Sequence, residues 1–262
     1  MPITEILAKN AQLYPNDICL VEINPKLENS AQLTWREFSL MQSTSKENYR
    51  KEITWAEFNK KANRFANFLL SRGIKKGEKV AILLMNSIEW LPIYFGILKA
   101  GAIAVPLNYR YTGEEIKYCL EKADCEHLVF GPEFVGRVES ICHKVKMIKT
   151  WLYQGDDCPV FAESYDRLVE FASSKTPSVE ISDEDYGAIY FSSGTTGFPK
   201  AILHKHRSLT HSCLVEQNHH GQTRDDVFLC IPPLYHTGAK MHWFGSLLSG
   251  SKAILLKGTT PF

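Results

Sequence analysis

Short apolar runs alternate with amphipathic stretches along most of this chain. Largely apolar runs occupy residues 80–85, 102–106 and 127–130, and runs without polar alternation are typical of strands that are covered on both faces of a sheet. The segments between them carry apolar residues at helical spacing. This alternation predicts an α/β fold, with a mostly parallel sheet flanked by helices.

Local polar residues predict where the helices begin. Residues 54–57 and 112–115 each have the Thr-x-x-Glu spacing of a capping box, in which the two side chains bond the backbone of the first turn. We expect these two helices to end near residues 71 and 123. We also expect Ser87 to cap a further helix between them.

The sequence also indicates how the chain is organised. A first α/β subdomain is expected over residues 1–185, and residues 186–262 are expected to hold a loop region and the beginning of a second, incomplete subdomain. Residues 33–38 nearly duplicate a segment twenty residues later, and we interpret the first copy as an insertion near residues 33–52. The polar stretch before residue 185 predicts a helix over residues 161–172, followed by a linker.

Composition narrows the class of protein. Of the 262 residues, 44% are hydrophobic and 23% are charged, and the net charge is +1, as in ordinary globular proteins. This balance gives no electrostatic reason to expect a nucleic acid partner, and no apolar run approaches the roughly 18–20 residues of a membrane span. The seven cysteines are scattered, and the N-terminus lacks a secretory pattern. Free thiols in the cytoplasm are therefore expected.

The most distinctive segment is a polar loop that follows an apolar run. Residues 189–200 are Ile-Tyr-Phe-Ser-Ser-Gly-Thr-Thr-Gly-Phe-Pro-Lys, so four hydroxyl side chains, two glycines and one lysine lie within its last nine positions. Glycines let the backbone approach an anion closely, while hydroxyl groups, amide groups and an ammonium bind its oxygens. This composition predicts a phosphate-binding loop. The simplest alternative is a flexible surface loop.

The loop departs from the P-loop template, G-x-x-x-x-G-K-[ST]. Gly194 and Lys200 have the template's spacing. However, Pro199 replaces the second glycine and removes an N–H donor, and Ala201 replaces the hydroxyl that would bind Mg²⁺. These two residues argue against a P-loop kinase or ATPase.

All twelve positions of residues 189–200 resemble the phosphate-binding signature of the adenylate-forming superfamily, which includes acyl- and aryl-CoA synthetases, luciferases and peptide-synthetase adenylation domains. Other segments resemble the same family in the expected order: residues 53–58, 63–66, 73–80, 94–96, 99–108 and 232–238, together with Trp90. The resemblance covers nearly the whole chain. It identifies the chain as the N-terminal portion of the large domain of an AMP-dependent synthetase and ligase.

The resemblance implies ATP-dependent activation of a carboxylic acid, fatty or aryl, to an acyl-adenylate, followed by thioester formation with CoA. ATP, Mg²⁺ and CoA are the implied cofactors, and the acid, ATP and CoA are the implied partners. Luciferases and carrier-loading domains share the loop, so the thiol acceptor stays open. Because the family's adenine motif, ribose motif and mobile C-terminal domain have no counterpart before residue 262, we expect a fragment that is inactive alone. The alternative is a free-standing, non-catalytic module that binds a nucleotide or an acyl group.

The resemblance also assigns roles to individual residues. Phosphate binding falls on consecutive loop residues: Ser192, Ser193, Gly194, Thr195, Thr196, Gly197, Phe198, Pro199 and Lys200. The resemblance implies that His236 lines the acyl pocket, where it would gate and orient the reactants. The alternative is that His236 is a buried core histidine. Residues 241–244 either wall that pocket or pack in the core. The five histidines over residues 204–220 lack a regular ligand set, so no metal site is expected there.

Overall fold

The computed structural model describes residues 1–25, 49–192 and 199–258, without the side chains of Met241 and His242. The helices are α1 (Ile3–Leu13), α2 (Trp55–Ser71), α3 (Trp90–Lys99), α4 (Gly113–Lys122), α5 (Val135–Cys142), α6 (Tyr165–Glu170), α7 (His206–His220) and α8 (Thr237–Ser249). The strands are β1 (Ile18–Ile23), β2 (Arg50–Thr54), β3 (Lys79–Leu83), β4 (Ile103–Pro106), β5 (Cys125–Phe130), β6 (Thr150–Tyr153), β7 (Glu163–Ser164), β8 (Tyr186–Ser192), β9 (Lys200–Lys205), β10 (Val227–Cys230) and β11 (Lys252–Leu256).

These strands form two sheets. The larger has seven strands in the order β7-β6-β5-β3-β4-β8-β9, and its neighbouring strands are parallel except at β9, which runs antiparallel to β8. The smaller sheet has the order β10-β11-β1-β2, in which β1 pairs in parallel with β11. The predicted α/β fold with a mostly parallel sheet is therefore confirmed. The subdomain boundary near residue 185 stays a prediction.

Helices and apolar side chains cover both faces of the large sheet. On one face, the Phe58 ring of α2 lies 5.5 Å from that of Phe95 in α3 and 6.1 Å from that of Trp243 in α8. On the other face, Ile116 of α4 and Ile141 of α5 belong to a second buried cluster. Burial of each such side chain stabilises the fold by about 1.5–3 kcal/mol. These two apolar clusters therefore hold the large sheet in place, including strand β8, which leads into the predicted phosphate loop.

Both predicted capping boxes are confirmed. The Thr54 hydroxyl accepts a hydrogen bond of 3.2 Å from the Glu57 amide, and the Glu57 carboxylate accepts one of 2.8 Å from the Thr54 amide. The same reciprocal pair joins Thr112 and Glu115 at the start of α4. Each box satisfies backbone donors that the first helical turn leaves free.

Two predicted helix boundaries are wrong. Helix α3 begins at Trp90, and Ser87 contributes its carbonyl to the turn before it, while the Ser87 hydroxyl has no hydrogen-bond partner among the described residues. The helix predicted over residues 161–172 is confined to α6, because Glu163–Ser164 pairs with β6 as strand β7. The duplicated segment, residues 33–38, lies outside the described residues.

No helix in the described part of the chain is long and apolar enough to cross a membrane. All seven cysteines are free. Burial raises the pKa of the Cys213 thiol to about 12, so this thiol stays protonated at neutral pH. A cytoplasmic location stays a prediction.

Candidate functional site

The predicted phosphate loop joins the two strands of an antiparallel hairpin. Ser192 at the end of β8 pairs with Lys200 at the start of β9. Because β8 is parallel to β4, both strands end at the same edge of the sheet, where ligands bind in open α/β folds. Of the predicted site, Ser193, Gly194, Thr195, Thr196, Gly197 and Phe198 lie outside the described residues.

The Ser192 and Lys200 side chains are both exposed at this end of the hairpin. A hydroxyl group and an ammonium are donors that suit phosphate oxygens. The described ends of the loop therefore fit an anionic group such as a nucleotide phosphate.

A cavity of about 590 Å³ adjoins the hairpin end. Its walls come from the β4–α4 connection, the hairpin and the β10–α8 connection: Pro106, Asn108, Tyr111, Glu115, Tyr190, Phe191, Ser192, Pro199, Ile202, His204, Tyr235, His236 and Thr237. It brings together three predicted site residues, Ser192, Pro199 and His236, whereas Lys200 is not one of its lining residues. Its aromatic and aliphatic walls, with a few polar groups, suit a small-molecule ligand with an apolar body.

There are two other cavities of similar size, about 490 and 500 Å³, and the second shares Tyr111 with this site. The first is lined mainly by residues that follow β3, β5 and β6. Neither is lined by His236 or by a described residue of the loop. The cavity at the hairpin is therefore the candidate site.

His236 is exposed, and it is the N-terminal flanking residue of α8, with no side-chain cap. Its amide donates to the Pro233 carbonyl at 3.0 Å. An exposed ring that lines the cavity differs from the buried core histidine of the alternative. Trp243 and Phe244 farther along α8 are buried in the core, so these two side chains pack in the interior and do not line the cavity.

Asn86 holds the segment before His236 in place, a role that the sequence analysis did not predict. Its side-chain amide donates to the Pro232 carbonyl at 2.9 Å, and its side-chain oxygen accepts from the Leu234 amide at 2.8 Å. Asn86 itself is buried just after β3. A polar residue directly after a buried strand was the available clue, but its partners lie about 150 residues away in the chain.

A buried polar group behind the cavity wall was also not anticipated. The hydroxyls of Tyr94 and Tyr190 lie 2.8 Å apart, and the Lys240 ammonium lies 3.8 Å from the centre of the Tyr190 ring. Burial lowers the pKa of Lys240 well below its usual value and raises the pKa of Tyr190. Burial, and then the charge of Lys240, lower the pKa of His204.

The described residues at the cavity do not form a Mg²⁺ ligand set. Among them, Glu115 is the one acidic side chain that lines the cavity, and its carboxylate accepts hydrogen bonds from Thr112. Elsewhere in the described part of the chain, no group of three or more His, Cys, Asp or Glu residues could hold a metal. Of the histidine-rich stretch, His206 is buried, and burial lowers its pKa to about 4.

The chain is similar to known CoA ligases in sequence. It is 29% identical over 198 residues to a 3-hydroxybenzoate–CoA/4-hydroxybenzoate–CoA ligase of Thauera aromatica, a match that covers 75% of this chain and 38% of that protein. It is 37% identical over 157 residues to a medium/long-chain-fatty-acid–CoA/3-oxocholest-4-en-26-oate–CoA ligase of Mycolicibacterium smegmatis, with 57% and 28% covered. The chain thus spans less than two fifths of these curated relatives.

Solved structures show the same fold. An anthranilate CoA ligase, AuaEII, in complex with anthranoyl-AMP, matches with a TM-score of 0.85 and 24% identity over 99% of this chain and 45% of that one. The N-terminal domain of FACL13 from Mycobacterium tuberculosis matches with a TM-score of 0.79 and 24% identity, over 99% and 58%. The family model described as AMP-binding enzyme matches residues 7–262. The chain therefore belongs to the AMP-binding enzyme family.

Proposed function

We propose that this chain forms the phosphate-binding and acyl-pocket part of an ATP-dependent acid–CoA ligase. In the first step, a carboxylate attacks the α-phosphate of ATP and releases pyrophosphate, which leaves an acyl-adenylate. In the second step, the CoA thiol displaces AMP and forms a thioester. The observation that carries the proposal is the joining of the hairpin end and His236 in one cavity. Because the chain spans under half of its relatives, we propose that it does not turn over alone.

The first step requires two anions, a carboxylate and a triphosphate, to be held in contact. Positioned donors and cations achieve this by orienting the reactants and by stabilising the charge that develops on the leaving group. We assign phosphate binding to Ser192, Lys200 and the loop residues between them. Mg²⁺ would add further neutralisation of phosphate charge when bound. No described side chain is assigned to it.

We assign His236 to the acyl side of the site. Its position at the start of α8, held by the Asn86 bonds to residues 232–234, places an exposed ring at the cavity. There the ring orients the carboxyl group and gates the approach of the thiol. A fatty or an aryl acid fits the apolar walls.

The direct test is acid-dependent exchange of pyrophosphate into ATP by the full-length protein. We expect exchange with at least one acid from a panel that runs from acetate through long-chain fatty acids to aryl acids. If no acid in that range supports exchange, the ligase proposal fails.

Replacing Lys200 by Ala should slow exchange roughly 10–100-fold, because a charge-assisted contact to the leaving group is lost. Lys205→Ala is a matched control on the same strand. Its ammonium pairs with Glu184 at 2.7 Å on the surface, so exchange should stay near the wild-type rate. Equal rates for wild type and Lys200→Ala would contradict the role given to Lys200.

A further inference from the structure

Lys240 is a buried cation with poor hydrogen bonding. It is 1% exposed, and its one hydrogen bond among the described residues is a long contact of 3.5 Å to the Tyr235 carbonyl. An ammonium has three donors, and no carboxylate in the described part of the chain lies within ion-pair distance. Aromatic faces surround the charge instead, with ring centres at 3.8 Å for Tyr190, 5.2 Å for Trp90 and 5.4 Å for Tyr94.

The position of Lys240 on α8 adds to this cost. It lies in the first turns of the helix, where the partial charge of the helix end is positive and a cation is unfavourable. The first turn contains no acidic residue, and the helix start has no side-chain cap. Contacts with aromatic faces offset only part of the desolvation cost of a buried charge. A positive charge on Lys240 is therefore left largely uncompensated by the residues that the structure describes.

Lys240 stands directly behind the wall of the candidate site. It contacts Tyr190 and Tyr235, which both line the cavity, and its charge acts on His204, which lines it too. Its amide donates to the His236 carbonyl at 3.4 Å, one turn earlier in the chain. Tyr190 lies two residues before Ser192 at the hairpin end. The Lys240 side chain is thus close to the place where the acid and the phosphate would meet.

We propose that Lys240 is a positioning residue for the acid substrate. A carboxylate at the cavity wall favours protonation of Lys240, which burial alone opposes, and the ammonium so formed draws the carboxylate toward His236 and the hairpin end. This inference rests on the proposed function. It adds the buried Lys240 to the exposed Lys200: Lys240 acts on the acid, and Lys200 acts on the phosphate. Electrostatic attraction is strong there because a protein interior screens charge less than water.

The test separates charge from shape with matched ligand pairs, benzoate with benzamide and octanoate with octanamide. Binding of each to the full-length protein is measured by calorimetry for wild type and Lys240→Met, which has a similar length and no charge. The result is taken from whichever pair wild type binds more tightly. For that pair, we expect Lys240→Met to bind the carboxylate about tenfold more weakly than wild type and to bind the carboxamide equally well. In exchange assays, KM for the acid should rise by a similar factor, with KM for ATP and kcat nearly unchanged.

Two further variants test whether the effect depends on the charge of Lys240. Lys240→Gln is a second neutral replacement that keeps a polar end, and it should behave like Lys240→Met. Lys99→Met removes another buried lysine, on α3 and away from the cavity, and should leave the carboxylate-to-carboxamide ratio at its wild-type value.

The inference is overturned if wild type prefers carboxylate over carboxamide no more than the two neutral Lys240 variants do. This outcome is distinct from failure of the proposed function, which is absence of acid-dependent exchange in wild type. The calorimetric comparison needs no turnover, so it decides the role of Lys240 in either case.

Discussion

Two lysines among the described residues are almost fully buried, and their surroundings differ. Lys99, 5% exposed at the α2–α3 contact, donates to the side-chain oxygens of Asn59 at 2.6 Å and Asn63 at 2.8 Å. Lys240, 1% exposed behind the cavity, has aromatic faces and one long bond to a carbonyl. The Lys99 ammonium is matched by two side-chain acceptors, whereas the described residues offer Lys240 no comparable set.

The difference distinguishes a lysine that stabilises the fold, Lys99, from one that we propose acts on the substrate, Lys240. Asn63 also donates to the Ser174 carbonyl at 3.0 Å, so the Lys99 group ties α2, α3 and the segment after α6 together. Such a matched network rigidifies a core. Burying Lys240 without such acceptors lowers the stability of the fold, and we propose that it raises the affinity for an anionic substrate. Burial alone therefore does not identify a functional lysine, whereas the set of its partners does.

The largest expected effect comes from breaking the matched group. Asn63→Ala removes one of the two acceptors of a buried ammonium and the bond to Ser174, so the free energy of unfolding should fall by about 3 kcal/mol. Urea denaturation measures this change.

Asn67→Ala is the control, one turn later on the same helix. Its side chain bonds the carbonyls of Ser173 and Lys175 but not Lys99. It should cost only about 1 kcal/mol. Equal losses for the two variants would show that the contact with the loop, and not the buried ammonium, determines the cost.

A smaller effect should appear in the pH dependence of stability. Burial lowers the pKa of Lys99 from about 10.5 to about 8. Between these values the unfolded chain binds more protons than the folded one, so stability rises with pH across this window. The amide oxygens of Asn59 and Asn63 favour the charged form and oppose burial, so we expect a gain of about 2 kcal/mol rather than the full value that the shift implies.

The measurement is the difference in unfolding free energy between wild type and Lys99→Met from pH 7.5 to 10.5. Subtraction removes the contributions of other titrating groups that the two proteins share. The difference should shift in favour of wild type as pH rises. A constant difference would mean that Lys99 titrates alike in the folded and unfolded chains.

The sequence was most informative where structure is local. The capping boxes at residues 54–57 and 112–115 depend on four consecutive residues, and both are present. Likewise, the apolar run before the phosphate loop lies in a strand, β8. The Ser87 prediction failed because a serine before an apolar stretch does not fix which turn becomes helical. The 161–172 prediction failed because pairing with β6 overrides helical periodicity at Glu163–Ser164.

The rest of the candidate site depends on contacts between distant parts of the chain. Asn86 acts on residues 232–234, and Lys240 is buried against aromatic residues of α3 and β8. Likewise, β1 pairs with β11 from the other end of the chain. No spacing within one segment contains such information. A lysine in a helix is ordinarily solvated, so its burial becomes visible only when the fold is known.

The smallest expected effect is found in a comparison of two helix starts, that of α2 beside Lys99 and that of α8 beside the cavity. Helix α2 begins with a reciprocal capping box, whereas α8 begins at Thr237 and the His236 side chain before it forms no cap. Thr54→Ala should therefore lower the free energy of unfolding by about 1 kcal/mol, since the Glu57 amide loses its acceptor. His236→Ala loses no cap and should change stability by less than about 0.5 kcal/mol. If both variants lost equal stability in urea, His236 would have a structural role at the start of α8, and the contrast between a matched scaffold and an open site would fail at this point.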